Sequence, residues 1–167
     1  MSIPFLDRDS THDVRLVTNY LIKRSLRDKS DLTPLQLMKL LYFSHAWMLA
    51  IFDRPLFKQT FKVWKYGPVV PEIYHALKQY GKSPITATIS LDGATQQDFD
   101  PEETAVLDKV FDEYARFDGW VLSGLTHIPE GPWFNARLEK GIGSTISNKS
   151  IQAYYAQRRK RNPHGEE

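Results

Sequence analysis

Residues 33–52 read TPLQLMKLLYFSHAWMLAIF, and the apolar side chains of this run point almost all the way round a helix. A surface helix carries one apolar stripe, whereas a helix apolar on every side has to be covered on every side. The start signal is equally clear. The Thr33 hydroxyl can cap free amides, Pro34 suits the first helical position, and Gln36 can reach back to the cap. Asp53-Arg54-Pro55 ends the run. The expectation is a central helix over about 34–52 with other helices packed around it.

Working outward, further segments supply those helices. Val14, Val17 and Leu21 recur at helical spacing behind Ser10-Thr11-His12-Asp13, which has capping-box spacing, and place a first helix over about 11–27. Asp100-Pro101-Glu102-Glu103 repeats the cap logic before the stripe Val106, Leu107, Val110, Phe111 and Tyr114, giving a helix over 101 to about 117. Short helices are expected at 71–80, ended by Gly81, at 121–126, and from Pro132 onward. Ser147 caps a last helix over about 148–160, with Ile146 and Ile151 placed as a hydrophobic staple. Phe61, Val63 and Trp64 are β-prone, and Ile85, Ala87, Ile89 and Leu91 alternate with polar residues. These segments predict a two-stranded element between 60–66 and 84–91. The fold class is therefore mainly α: a compact helical domain around the helix at 34–52, with a small two-stranded β element. One domain over 11–161 is expected, with a lead-in at 1–10 and a flexible tail at 162–167.

Composition narrows the chemistry. The 167 residues are 41% hydrophobic, enough for a sizeable core, and include no cysteine, which removes disulfides, thiolate metal sites and a cysteine nucleophile. The N-terminus has no basic head followed by an apolar run, so no export is expected and the cytoplasm is the expected compartment. The most apolar part of the central run, 40–52, falls short of the roughly 20 residues that span a bilayer, so no membrane partner is expected. His12, His45, His75, His127 and His164 are scattered without ligand spacing, and no phosphate-binding glycine loop is present. Neither a metal nor another cofactor is expected.

Two functional readings rest on single segments. Thr126, His127, Glu130, Asn135 and Arg137 offer a base, a carboxylate and a guanidinium within a dozen residues. That leaves open a hydrolase or transferase centred on His127, although the spacing fits no known catalytic motif and a histidine just after a helix more often bonds to backbone. Arg158-Arg159-Lys160-Arg161, behind Tyr154 and Tyr155, leaves open a nucleic-acid-binding regulatory module. The blander reading is that this basic end complements the helix dipole.

A longer pattern runs through most of the chain. It comprises LTPLQLMKLLYFSHAW, PLF at 55–57, VWKYGPVVPEIYHALKQYG, the Thr126-His127 step, the Pro132-Trp133 step and the Ile146-Ser147 start of the last helix. Over residues 11–156 this order resembles the Panacea domain, the antitoxin domain of the SocA/GepA-like phage-associated proteins. Two places depart from that pattern: Val63 stands where alanine is expected, and the turn Ile128–Gly131 is longer than usual. The resemblance implies an antitoxin, not an enzyme, that neutralises a cognate toxin of unknown identity by direct protein–protein binding. It leaves open whether a protease or operator DNA is a further partner. The motif residues it marks as candidates for interaction are Lys39, Tyr42, Trp64, Tyr66, Gly67, Pro68, Thr126, His127, Pro132 and Trp133. Tyr42, Trp64, Tyr66 and Trp133 have the bulk that a small helical core needs, so a packing role competes at each. Lys39 stands apart, because a lysine on an apolar helix must either surface or meet a carboxylate or carbonyl.

Overall fold

The computed structural model describes residues 11–161. The chain termini expected as a lead-in and a tail, and Ser10 of the first capping box, lie outside the described residues. Helix α1 (Val14–Arg27) is capped instead by the Asp13 side chain, which accepts from the Arg15 amide. Helix α2 (Pro34–Phe52) begins with the full capping box, Thr33 and Gln36 each accepting the other's backbone N–H. It ends where Asp53 turns left-handed and donates its amide to the Leu49 carbonyl. Strands β1 (Phe61–Trp64) and β2 (Gly67–Val69) follow, then helix α3 (Pro71–Leu77) with a 3-10 turn at Lys78–Tyr80. Helices α4 (Pro101–Tyr114), α5 (Gly119–Thr126) and α6 (Pro132–Lys140), strand β3 (Thr145–Ile146) and helix α7 (Asn148–Arg161) complete the described chain. The mainly helical fold class is what the sequence pattern implied.

Helix α2 is the hub. It packs against α7, α4, α5, α1, α3 and β2, which is why its sequence has no polar face. By length and composition alone it would be long enough to cross a membrane, but two thirds of that window is buried inside the protein, as in a core helix. Tyr42 packs edge-on against Phe61 and Tyr155, and Phe43 stacks on Tyr114 with ring centroids 4.3 Å apart. His45 is fully buried and bonded at both ring nitrogens, to Asn148 and to the Leu56 amide. Burial pulls its imidazole down to about 4, so it is a neutral structural group.

The β element is larger than expected and built from other pieces. It is a three-stranded antiparallel sheet in the order β2-β1-β3, with Val63 opposite Pro68 and Phe61 opposite Ile146. Segment 84–91 is not a strand. Both edges of β1 are occupied, and the alternating residues instead form an irregular strap tied down by single bonds. Ile85 donates to the Leu32 carbonyl, while the Asn19 side chain both donates to and accepts from the backbone of Ile89. Ile85 is buried and Ile89 half-buried, so the apolar alternation records contact with the helices rather than strand pairing.

At the far end, His12 forms a parallel bridge with Phe57 and bonds through Nε2 to Glu103, whose other oxygen lies 3.5 Å from Arg54. Glu103 is also the reciprocal half of the α4 capping box, accepting from the Asp100 amide. One carboxylate thus locks the start of α1, the end of α2 and the start of α4 together.

Candidate interaction site: a pinned turn over a buried lysine

Between β1 and β2 the chain reverses through Lys65 and Tyr66, and the backbone around this turn offers carbonyls to side chains from elsewhere in the fold. Three side chains from three helices take them. The Trp133 indole of α6 donates to Trp64 O at 3.0 Å, the Ser123 hydroxyl of α5 to Tyr66 O at 2.6 Å, and the Lys39 ammonium of α2 to Pro68 O at 3.0 Å. Met38 Sδ accepts the Val70 amide just beyond. A net contribution of about 1 kcal/mol per bond is ordinary, but a buried carbonyl left without its donor costs about 1–3 kcal/mol, so the three together fix the turn.

Lys39 is the least expected member of this set. Its side chain is 0% exposed and has no carboxylate partner among the described residues; the Pro68 carbonyl is its acceptor. Burial pulls the amine down to about 7. Gly67 explains how the turn comes so close. A Cβ there would stand 2.7 Å from Lys39 Cε and 2.7 Å from Thr126 Oγ1, and its φ of +119° is one that L residues rarely adopt. Thr126 Oγ1 is itself committed as a donor to Ser123 O at 2.7 Å, one turn back on α5.

His127 lies next to this assembly but not in an acid–base arrangement. It is the C-cap of α5, its backbone amide donating to Gly124 O, and its ring stacks on Trp133 at 3.8 Å. Nε2 is buried without a hydrogen-bond partner among the described residues. Burial and the nearby charges of Lys39 and Arg137 lower its pKa and keep it neutral. Glu130 and Asn135 face elsewhere, Asn135 donating to the Glu130 carbonyl, and Arg137 lies over the Trp133 ring. No three histidines, aspartates or glutamates among the described residues are grouped to hold a metal.

Of the sequence-marked residues, Lys39, Gly67, Pro68, Thr126, Pro132 and Trp133 form the buried frame of the turn. Tyr42 is not part of it and lies in the aromatic core. Trp64 is half-buried against Tyr74, and Tyr66 is the residue the frame presents outward, 45% exposed. Its ring meets Trp120 edge to face, centroids 5.0 Å apart, with Trp120 57% exposed and Val121 open beside it. The sequence reading missed Trp120, Val121 and Ser123. A helical wheel started at Asp118 finds Trp120 and Val121, because burying Leu122 and Thr126 leaves those two outside.

The frame leaves two large aromatics, Tyr66 and Trp120, open to water. The model of the family described as antitoxin SocA-like, Panacea domain, matches residues 37–134, from the first turn of α2 to the start of α6, and the chain belongs to that family. Among curated proteins it is similar to Antitoxin SocA of Caulobacter vibrioides (strain NA1000 / CB15N), 28% identical over 162 residues, covering 89% of this chain and 85% of that protein. No solved structure matches the chain.

Proposed function

We propose that this protein is the antitoxin of a toxin–antitoxin pair and neutralises its toxin by binding it directly, without catalysis or cofactor, in the cytoplasm. The observation that carries the reading is the exposed Tyr66–Trp120 pair on a turn pinned by Trp133, Ser123 and Lys39. Large aromatics held rigid before binding lose little conformational freedom on association, so more of their burial appears as affinity. Family membership and the likeness to an antitoxin support the same reading. Inhibition is stoichiometric, by covering the toxin or holding it inactive.

The test is co-expression with the product of the adjacent reading frame. Growth should be rescued and the two chains should purify together. A toxic neighbour that this chain neither binds nor silences contradicts the proposal.

A further inference from the structure

Ion pairs cluster where α1, α4 and the end of α2 meet. Arg24 bridges Asp28, Asp108 and Asp112 between α1 and α4, and Arg54 bridges Asp100, Glu102 and Glu103. Around the sheet and α6 the pattern reverses. Residues 58–70 contain Lys58, Lys62 and Lys65 and no acid, and on α6 Arg137 and Lys140 flank the single acid Glu139. None of Lys62, Lys65, Arg137, Lys140 or Glu139 forms an ion pair among the described residues. Each cation of the group that has a partner has a neutral one. Lys62 donates to the Thr145 hydroxyl, Lys65 lies over the Tyr66 ring, and Arg137 lies over the Trp133 ring.

The backbone shows that these residues belong to one region. The turn after α6 is stitched to β1, Gly143 donating to Val63 O at 2.7 Å and Val63 donating to Ser144 O at 2.8 Å. That turn and the helix end before it carry the two most exposed large aliphatics of the described chain, Leu138 at 76% and Ile142 at 58%. They are four residues apart, with Arg137 before Leu138 and Lys140 between the two in the sequence. A nucleic-acid backbone would use the charges but has no use for two aliphatic side chains held in water, whereas an acidic protein segment with apolar residues uses both.

From this we infer that the β1–α6 face, with Lys62 and Lys140 around Leu138 and Ile142, is a second docking surface. Its occupant is an acidic, apolar-bearing segment of a partner protein. The surface goes beyond the Tyr66–Trp120 site and its argument does not depend on the toxin reading. Charge steers the segment on, which makes association fast and salt-sensitive, and the two aliphatics hold it.

The probe is a fluorescein-labelled peptide of alternating glutamate and leucine, titrated against the full chain by anisotropy. Comparison probes are a glutamate–serine peptide and a labelled oligothymidylate. Binding of the glutamate–leucine peptide is expected to weaken by about tenfold or more in Lys62→Glu/Lys140→Glu, and separately in Leu138→Ser/Ile142→Ser. It should also weaken with added salt and be unchanged in Tyr66→Ala/Trp120→Ala. Circular dichroism melts check that each variant is folded; if Lys62→Glu disturbs the sheet, Lys140→Glu alone, on an exposed side chain, still reads the charge. Equal binding by wild type and by both double variants overturns the inference, as does failure of the peptide to bind. Tighter binding of oligothymidylate than of peptide assigns the face to nucleic acid and also overturns it. So does salt-sensitive self-association of the chain abolished by the same variants, which would make the occupant a second copy. A neighbour-encoded toxin that binds normally to Leu138→Ser/Ile142→Ser leaves the proposed function standing whichever way the peptide result falls.

Discussion

Lys39 and Gly67 form a lock in which each residue makes sense only through the other. The lysine fills the space a Cβ at position 67 would need, and the glycine lets the Pro68 carbonyl reach the lysine. Gly67→Ala should therefore combine an unfavourable backbone angle, worth about 1–3 kcal/mol, with overpacking of similar size. A loss of about 3 kcal/mol in urea denaturation is expected, and a loss below about 0.5 kcal/mol would show that the turn relaxes freely. Lys39 also predicts a pH dependence. Its folded pKa of about 7 lies below the ordinary 10.5, so between those values the unfolded chain binds more protons than the folded one. Stability should accordingly rise as pH increases from about 7 toward 10, until the half-buried Tyr20 and the buried Tyr42, both pushed upward by desolvation, oppose the trend. In Lys39→Met, which keeps the bulk and removes the amine, the rise between pH 7 and 9 should flatten. An unchanged slope would mean that the amine is solvated. His45 has the same sign at lower pH: with its folded pKa near 4 against an ordinary 6.5, it withdraws stability as pH falls through that interval.

At the scale of elements, the hairpin β1–β2 is held by donors from three helices rather than by a long ladder. Removing one donor should loosen the turn without unfolding the domain. Ser123→Ala is expected to cost about 1–2 kcal/mol and to speed amide exchange at residues 64–69, with α2 protection retained. Uniform loss of protection across the chain would contradict a local role. Which elements could be read in advance follows from the range of the interactions that make them. Helix starts were legible because their signals lie within four residues, as in Thr33 with Gln36 and Asp100 with Glu103. The sheet was not, because β3 is two residues long and pairs with β1 from more than eighty residues away. Nothing in Thr145-Ile146 marks a strand, whereas Ile85, Ala87, Ile89 and Leu91 carry a strand-like alternation that the tertiary structure uses as a strap. The same limit applies to the site. Lys39 was conspicuous as the one charge on an apolar helix, but its acceptor was not fixed by anything local. The partnership of Tyr66 with Trp120 joins residues 54 positions apart through packing alone.

At the scale of the molecule, the proposed function puts stability and recognition on different groups. The aromatic core and the ion-paired junction of α1, α2 and α4 hold the domain together, while Tyr66, Trp120, Leu138 and Ile142 stand exposed. Exposed positions of this kind contribute little to folding, so their substitution reads binding almost in isolation. The most direct test of the antitoxin reading is a calorimetric titration of purified toxin from the adjacent reading frame into wild-type protein and into Tyr66→Ala/Trp120→Ala. Melting temperatures are measured in parallel. The double variant should melt within a few degrees of wild type and lose about 2 kcal/mol or more of binding, with rescue of growth lost alongside. Wild-type affinity and full rescue in the double variant would contradict it.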